Sequence, residues 1–551
     1  MHDCIRIPEL LTQVCYHAND PDSNNASDLV ALAMTCKAFK DPALDVLYYE
    51  LHYTAHLFMC LPRDLWTLRK DEGPNAAAAS TLFFSRAMVH ADWLILQTYR
   101  QRVRIVHLNT ASKFISVDSE ALSAVRSFSG DNLLPNLRDY RVFNSKWRFV
   151  DRVPLLRGIM HFPELFFGPT LTTLSLDWLE STSLHTLNAL SRTSPLIEKL
   201  SFTLYKSVGD QLLEKKLLEA LENVTRSLKK IRIFQANFVH FESPVPFIPV
   251  LAMLATLPSL QYLNIRCRNL SLSFPSASVD RGTNLFPQLT RLRLAGNACQ
   301  IAHLMSSLHA PSLEVVVLCF EQCEGDNAIP QTIAYMANWI SNSAFPIRGV
   351  KLQFPEQYPP NLAAFKHLRP LFRFPTIQHF RLVCFPHPAF DDDQIDELSG
   401  AFSDLRTLSL LWSSNKYHSG LDTRVTLMGL VSLLRNCPKL AELGLTVDVT
   451  EEDTPHSRSD IGTSAANVCQ TSLTKWEVFD SFIMENDIQY VSRVLACTAP
   501  HLSEVVYTAA EASTWPHSVV EEDAEIWRQV NERLECCMEA RKHYVRHVYG
   551  A

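Results

Sequence analysis

The stretch PQLTRLRLAGN at residues 287–297 contains the pattern that decides the fold of this 551-residue chain. Its three apolar anchors are Leu289, Leu292 and Leu294, with two residues between the first pair and one between the second. The same spacing returns fourteen times, roughly every 31 residues. The copies begin at Val103, Leu137, Leu171, Ile197, Leu228, Leu260, Leu289, Leu313, Ile347, Ile377, Leu405, Leu440, Leu473 and Leu502. One copy alone is a weak signal, but fourteen at this interval indicate a repeat array.

Leucine-rich repeats combine this pattern with a return helix. The anchors lie on a short strand and point into a stacked core, and about 20 further residues bring the chain back through a helix. The stretch VTLMGLVSLLRNCPKL at residues 425–440 fits such a return segment. Its Leu427, Leu430 and Leu434 share one helical face. The sequence therefore predicts an α/β fold in which residues 101–515 form a leucine-rich-repeat solenoid with the form of a horseshoe.

Segments on both sides of the array are predicted to be helical. Residues 516–551 are predicted to form a capping helix over the end of the array, with Trp527 and Leu534 on its apolar face. A helix that binds a partner is the alternative for this segment. Residues 53–100 are predicted to form a helical linker or N-terminal cap. A hinge is expected at residues 69–80, where charged residues, Gly-Pro and an alanine run follow one another.

Composition and motif content argue against several classes of protein. The net charge of −7 gives no general attraction for nucleic acid or for an anionic membrane. The N-terminus does not resemble a signal peptide, so we expect the 14 cysteines to be free thiols in a reducing compartment. They include no CxxC pair, so we expect no metal site. The sequence contains neither GxGxxG nor GxxxxGKS/T, and it lacks HExxH and GxSxG. The routine enzyme signatures are therefore missing, and we expect no cofactor.

Three consecutive aspartates, Asp391–Asp393, admit two interpretations. Carboxylates bind metal ions, and they also favour the N-terminus of a helix because of the helix dipole. No second cluster of ligands accompanies them in the sequence. We therefore interpret them as the start of a helix whose Ile395 and Leu398 face inward.

Residues 1–52 are predicted to form a separate unit of three short helices. The helices are expected in IPELL at residues 7–11, LVALAMTCKAF at residues 29–39 and PALDVLYYEL at residues 42–51. Pro8 suits the first turn of a helix. Three short helices bury too little surface to be stable alone, so a surplus of apolar residues here indicates an interface with another protein.

These three segments resemble the F-box, whose usual opening is Leu-Pro-x-Glu-Leu/Ile-Leu. Ile7 stands in place of the usual leucine, and Tyr48 stands where many F-boxes carry tryptophan. The resemblance continues in DWLILQTYRQRVRIVHL at residues 92–108, LRNCPKLAELGLTVDV at residues 434–449 and LTKWEVFDSFI at residues 473–483. As a whole the chain resembles the F-box proteins with leucine-rich repeats that are abundant in mushroom-forming fungi.

The resemblance implies the role of a substrate receptor in an SCF-type cullin–RING ubiquitin ligase. In that family the F-box docks on a Skp-type adaptor, and the repeat array captures the substrate protein without an active site of its own. Positions that would face the adaptor or support that face are occupied by Pro8, Leu10, Leu11, Leu32, Cys36, Phe39 and Leu44. Packing inside the helical unit is the alternative for each of them.

The resemblance also implies residence in the cytoplasm, in the nucleus or in both. A second function is consistent with the same sequence, namely a leucine-rich-repeat scaffold that binds proteins independently of ubiquitin and carries a degenerate F-box. The two functions differ in whether the first 52 residues bind the adaptor.

The residue between the last two anchors of each repeat is expected to face away from the core, onto the concave face of the array. Within six consecutive repeats this position carries four cations and no acid. The cations are Arg232, Arg293, Lys351 and Arg381. In a chain of net charge −7 they predict a site for an acidic or phosphorylated segment of a substrate protein. The alternative is that they are solvated strand residues neutralised by nearby acids.

Overall fold

A computed structural model describes most of the chain. The described residues are 7–18, 27–70, 80–109, 115–130, 132–143, 163–179, 184–205, 211–239, 245–246, 248–267, 270–271, 286–308, 310–322, 328–342, 347–354, 365–384, 390–412, 424–449, 468, 470–478, 481, 483–507 and 517–549. Part of the predicted hinge, residues 71–79, lies outside them.

The described residues contain both helices and strands, which are interspersed along the repeat array. The helices are α1 (Pro8–Ala18), α2 (Ser27–Thr35), α3 (Lys37–Leu47), α4 (Ala55–Phe58), α5 (His90–Arg100), α6 (Ser119–Ser129), α7 (Leu184–Thr193), α8 (Gln211–Ser227), α9 (Ile248–Ala255), α10 (Ala298–Ser307), α11 (Ala328–Asn342), α12 (Asp392–Ala401), α13 (Leu427–Asn436), α14 (Ile488–Thr498) and α15 (His517–Tyr549). Short 3-10 helices lie at Pro163–Phe166, Phe365–His367, Arg369–Arg373 and Glu485–Asp487. Among the described helices, none is both long enough and apolar enough to cross a membrane.

The strands are short, as expected for a repeat array. They are β1 (Glu50–Leu51), β2 (Trp66–Lys70), β3 (Ser80–Phe84), β4 (Ile105–Asn109), β5 (Ile115–Val117), β6 (Asp139–Phe143), β7 (Thr173–Leu179), β8 (Lys199–Tyr205), β9 (Ile233–Val239), β10 (Val245–Pro246), β11 (Tyr262–Cys267), β12 (Leu270–Ser271), β13 (Arg291–Asn297), β14 (Val315–Gln322), β15 (Gly349–Gln353), β16 (His379–Cys384), β17 (Thr407–Trp412), β18 (Glu442–Gly444), β19 (Lys475–Glu477) and β20 (Glu504–Val506).

The chain divides into two compact units, Met1–Asn264 and Ile265–Ala551, and the boundary falls within β11. In the first unit β1, β4, β6, β7, β8 and β9 pair in that order, all parallel. In the second unit β13 to β20 pair in chain order, again all parallel. Parallel strands joined by return helices confirm the α/β leucine-rich-repeat fold predicted from the sequence.

The repeat anchors form the core of each unit. Leu289, Leu292 and Leu294 are fully buried, and the corresponding residues of neighbouring repeats are buried in the same way. The return helix α13 buries Leu427 and Leu430, as its apolar face predicts. Since one side of each strand packs against the helices, the alternate residues point to the opposite side of the sheet, which we call the open face.

The fifth repeat is displaced from its predicted frame. The pattern starting at Leu228 predicts Ile233 as the last anchor. However, Ser201, which lies between the last two anchors of the preceding repeat, pairs in register with Gln235 of β9. The anchors on this strand are therefore Phe234 and Ala236, both buried, and the open-face residue between them is Gln235. Arg232 precedes the strand, so the sequence prediction that placed it in the column of cations is wrong.

Two features at the N-terminal end of the array were not predicted. Residues 50–51 form β1, which pairs with β4 through Glu50 opposite Ile105. The segment predicted as a helical linker contains α4 and α5, but it also contains β2 and β3, which pair antiparallel. The prediction of an entirely helical linker is therefore wrong for these residues, because their aromatic and β-branched side chains favour strands.

Backbone hydrogen bonds at the start of each strand connect successive repeats. The amides of Arg348 and Gly349 both donate to the carbonyl of Glu314, at 2.8 and 3.0 Å. The amides of Gln378 and His379 donate in the same way to the carbonyl of Arg348, at 2.7 and 2.8 Å. This double contact recurs along both units and sets the register of each strand against the one before it.

Two of the three aspartates at the start of α12 have separate structural roles. Asp391 caps its own helix by accepting from the amide of Gln394 at 2.9 Å. Asp392 reaches the next repeat, where its carboxylate accepts from the amide of Thr426 at 2.8 Å and from the Thr426 hydroxyl at 2.6 Å. The interpretation as a helix start agrees with these contacts, and the second aspartate also joins two return helices.

The C-terminal helix α15 closes the last strand of the second unit. The Asn531 side chain accepts from the amide of Val505 at 3.0 Å and donates to the Val505 carbonyl at 2.6 Å. Trp527 packs edge-on against Trp476, with 5.6 Å between ring centroids, and its Nε1 donates to the Ser481 carbonyl at 3.0 Å. The Asn531 side chain therefore forms the hydrogen bonds that a further strand would otherwise form with the backbone of Val505 in β20.

Replacing Asn531 by leucine tests this closure. We expect Asn531→Leu to lower the free energy of unfolding by about 1–3 kcal/mol, because the backbone groups of Val505 lose their partner under an apolar side chain. Urea denaturation followed by circular dichroism measures the change. Arg533→Leu, at an exposed position of the same helix, is the control. Equal stability of the two variants would contradict the closing role of Asn531.

Two glycines give a matched test of the contact between α12 and α13. A Cβ at Gly429 would clash with the Asp392 carboxylate, which its two hydrogen bonds to Thr426 hold in place. We expect Gly429→Ala to destabilise the protein by about 1–3 kcal/mol. A Cβ at Gly400 in α12 would meet no atom within 4 Å, so Gly400→Ala should be neutral or stabilising by up to about 1 kcal/mol. Thermal unfolding of both variants separates these outcomes, and similar melting temperatures would refute the close contact.

Candidate functional site

The N-terminal helices α1, α2 and α3 pack around a small core of their own. Its fully buried members are Cys15, Leu29, Ala43 and Val46. Ala18, Leu32, Ala33, Phe39 and Leu47 pack against them and remain partly exposed. Burial raises the pKa of the Cys15 thiol, which suits a small apolar packing residue.

Large apolar side chains remain exposed on two of these helices. On α1 and the residue before it they include Ile7, Leu10 and Val14, spaced at three and four positions so that they share one helical face. On α2 they are Val30 and Met34, one turn apart, and the Met34 side chain is 80% exposed. We call these five residues the apolar stripes.

The structure distributes the predicted adaptor-binding residues between surface and interior. Pro8 and Leu10 are exposed, whereas Leu11 is buried. The others are half-buried, and two of them, Leu32 and Phe39, pack against the small core. The remaining half-buried residues are Cys36 and Leu44. Sequence reasoning missed Val14, Val30 and Met34, although helical spacing from Ile7 and Leu10 would have indicated Val14.

Polar and aromatic contacts attach the helical unit to the first repeat. The Arg102 guanidinium donates to the Asp41 carboxylate at 2.6 Å and to the Asp41 carbonyl at 3.1 Å, and it also pairs with Asp45. Tyr48 at the end of α3 packs against Tyr99 of α5 with 4.9 Å between ring centroids. Burial raises the pKa of Tyr48, which keeps the phenol neutral in this contact.

A column of cations lies on the open face of the second unit. Arg293 pairs in register with Val317, Val317 with Lys351, and Lys351 with Arg381. In the described part of the chain these three cations form no ion pair with a carboxylate. Burial, together with the positive charges of Arg381 and Arg293, lowers the pKa of Lys351 and outweighs the opposite effect of Cys319.

Arg232 does not belong to this column. It precedes β9 in the first unit, where its guanidinium lies 3.8 Å from the Glu198 carboxylate and donates to the Gln261 side chain at 3.0 Å. An acid neutralises this residue, as the alternative interpretation of the column proposed. Among the described residues, no group of three or more His, Cys, Asp or Glu is arranged to hold a metal ion.

Comparisons with known proteins give a fold likeness only. No family model matches the chain, and no curated protein matches it. Among solved structures, Rad7 in its complex with Elc1 in yeast is 17% identical over 66% of this chain and 83% of that chain, with a TM-score of 0.36. The leucine-rich-repeat-containing protein LegL7 from Legionella pneumophila is 9% identical over 72% of this chain and 98% of that chain, with a TM-score of 0.31. At these values the two likenesses carry no argument about function.

The charge environment of Lys351 is directly testable. Because neighbouring cations help to lower the Lys351 pKa, Arg381→Gln should raise it toward its ordinary value. Titration of ¹³C-dimethylated lysine signals by NMR, with the Lys351 signal assigned through Lys351→Arg, measures the shift. Arg435→Gln on α13 is the control and should leave the titration unchanged. A Lys351 pKa that Arg381→Gln leaves unchanged would contradict the close approach of these cations.

Proposed function

We propose that this chain is the substrate-recognition subunit of an SCF-type cullin–RING ubiquitin ligase. Helices α1 to α3 dock on a Skp-type adaptor, and the repeat array binds the substrate protein. In this proposal Pro8 and Leu10 contact the adaptor directly. Leu11, Leu32, Cys36, Phe39 and Leu44 support the contacting face from within the helical unit or at its margin.

The observation that supports the proposal is the exposure of the apolar stripes. Leu10 and Met34 extend into water from a unit whose own core is small. Covering a leucine or methionine side chain contributes about 1.5–3 kcal/mol, so burying both against a partner contributes several kcal/mol to binding. Exposed apolar side chains at helical spacing are typical of helices that pack against a partner protein.

The proposed role requires no covalent chemistry from this chain. A receptor that holds a substrate beside a ubiquitin-conjugating enzyme raises the effective concentration of the reacting lysine. The contacts of Arg102 with Asp41 and Asp45 help by attaching the adaptor-binding helices firmly to the first repeats. A loose connection would spread the bound substrate over a larger volume and lower that concentration.

Calorimetric titration with a purified Skp-type adaptor tests the proposal. We expect Leu10→Asp combined with Met34→Asp to weaken binding at least about 100-fold, which corresponds to about 2.8 kcal/mol. Both side chains are exposed, so the charges should leave the fold intact, whereas a charge at Leu32 would enter the small core.

A matched control uses exposed apolar residues elsewhere in the first unit. Val89, directly before α5, and Leu94, within α5, are each 51% exposed. Val89→Asp combined with Leu94→Asp should leave adaptor affinity unchanged. Failure of a folded wild-type chain to bind the adaptor would refute the receptor role. It would favour the alternative function, a repeat scaffold independent of ubiquitin.

A further inference from the structure

Residues of opposite charge lie at two positions along the open face of the second unit. The cation patch consists of Arg293, Lys351 and Arg381 on β13, β15 and β16. The acid patch consists of Glu442, Glu477 and Glu504 on β18, β19 and β20. Arg381 pairs in register with Ser409 on the next strand, Ser409 with Gly444, and Gly444 with Glu477, so these four residues form one register row.

The acid patch keeps a net negative charge despite one lysine within it. Lys475 lies 2.8 Å from Glu477 and pairs in register with Glu442 and Glu504. Its hydrogen bond to Glu477 raises the pKa of Lys475, and the charges of Glu504 and Glu442 add to that effect. Three carboxylates therefore surround one ammonium group, and both Glu442 and Glu504 are exposed.

Small residues separate the two patches. Ser409 is almost completely buried, and Gly444 has no side chain. Arg381 lies two strands from Glu442 and three strands from Glu477. Neighbouring strands lie about 4.8 Å apart, and Glu442 also lies two residues, about 7 Å, back along its strand, so these separations are about 12 and 14 Å. An extended peptide covers such distances with about three or four residues.

The cation patch matches a doubly charged anion better than a single carboxylate. Lys351 and Arg381 lie directly opposite each other on adjacent strands, so their like charges repel. A phosphoryl group carries nearly two negative charges at neutral pH and has three acceptor oxygens, enough for both cations. A carboxylate carries one charge and leaves the repulsion only half compensated.

We propose that the open face of the second unit binds an extended peptide in which a phosphoserine or phosphothreonine and an arginine or lysine are separated by about three or four residues. The phosphoryl group lies against Lys351 and Arg381, and the basic side chain lies against Glu442 and Glu477. The inference rests on the proposed function only in taking this peptide as part of the substrate protein.

Synthetic peptides and the full-length chain test the proposal. Three probes are fluorescein-labelled Gly-Ala peptides with one phosphoserine and with an arginine about three or four residues away, much farther away or absent. A fourth probe has the nearby arginine and a glutamate in place of the phosphoserine. Fluorescence anisotropy at about 0.1 M salt measures each Kd. We expect the phosphorylated peptide with an arginine about three or four residues away to bind at least about tenfold more tightly than the other two phosphorylated peptides.

Variants of the two patches should act differently. Arg381→Glu should weaken all phosphorylated peptides at least about tenfold, because it replaces attraction by repulsion. Glu442→Gln combined with Glu477→Gln should abolish the preference for a nearby arginine and leave the peptide without arginine unaffected. Arg435→Glu, at an exposed position of α13, should change no Kd. Circular dichroism of each variant checks that the fold is intact.

Three results would overturn the proposal. They are equal affinity for the glutamate and phosphoserine forms of the peptide, affinity independent of the arginine position, and no binding up to about 1 mM peptide by the folded wild-type chain. The chain carrying Leu10→Asp and Met34→Asp should bind the peptides with unchanged Kd. A loss of adaptor binding can therefore be distinguished from a loss of peptide binding, and the two proposals are tested independently.

Discussion

The double hydrogen bond between one backbone carbonyl and two successive amides of the next repeat is the contact on which the array depends. A single repeat has an apolar side that it cannot cover alone, so it is stable only when a neighbour lies in the correct register. The pair of amides at Arg348 and Gly349 on the Glu314 carbonyl sets that register at the start of the strand. A shift by one residue would turn the anchors outward, because side chains alternate along a strand. The same contact therefore determines which side chains reach the open face.

Much of the fold could be predicted from the sequence because the anchors repeat so regularly. Leu289, Leu292 and Leu294 belong to a spacing that no other common architecture produces in so many copies. The prediction failed at the fifth repeat, where two overlapping frames are both apolar. The frame with Ile233 as its last anchor looks more typical, but the chain uses Ala236, whose small side chain gives a weak signal in sequence.

The candidate functional surfaces were predictable only where a simple periodicity determines them. Alternation along a strand correctly places Lys351 and Arg381 side by side, since both repeats are in their predicted frames. The helical unit offers no such rule, because motif positions alone do not separate an exposed Leu10 from a buried Leu11. That distinction comes from how α1 packs against α3, which depends on the angle between two short helices. The acid patch was missed because its glutamates lie in two different register rows.

The strand β1 has a consequence for how such proteins arise. Residues 50–51 belong by sequence to the helical unit, yet they pair with β4 as part of the main sheet of the first unit. A gene fusion that joined a foreign helical unit to these repeats would have to supply a matching strand as well, or leave the backbone of β4 unpaired on that side. The helices and the first repeat are therefore expected to be inherited together, with recombination and changes in repeat number confined to positions further along the chain.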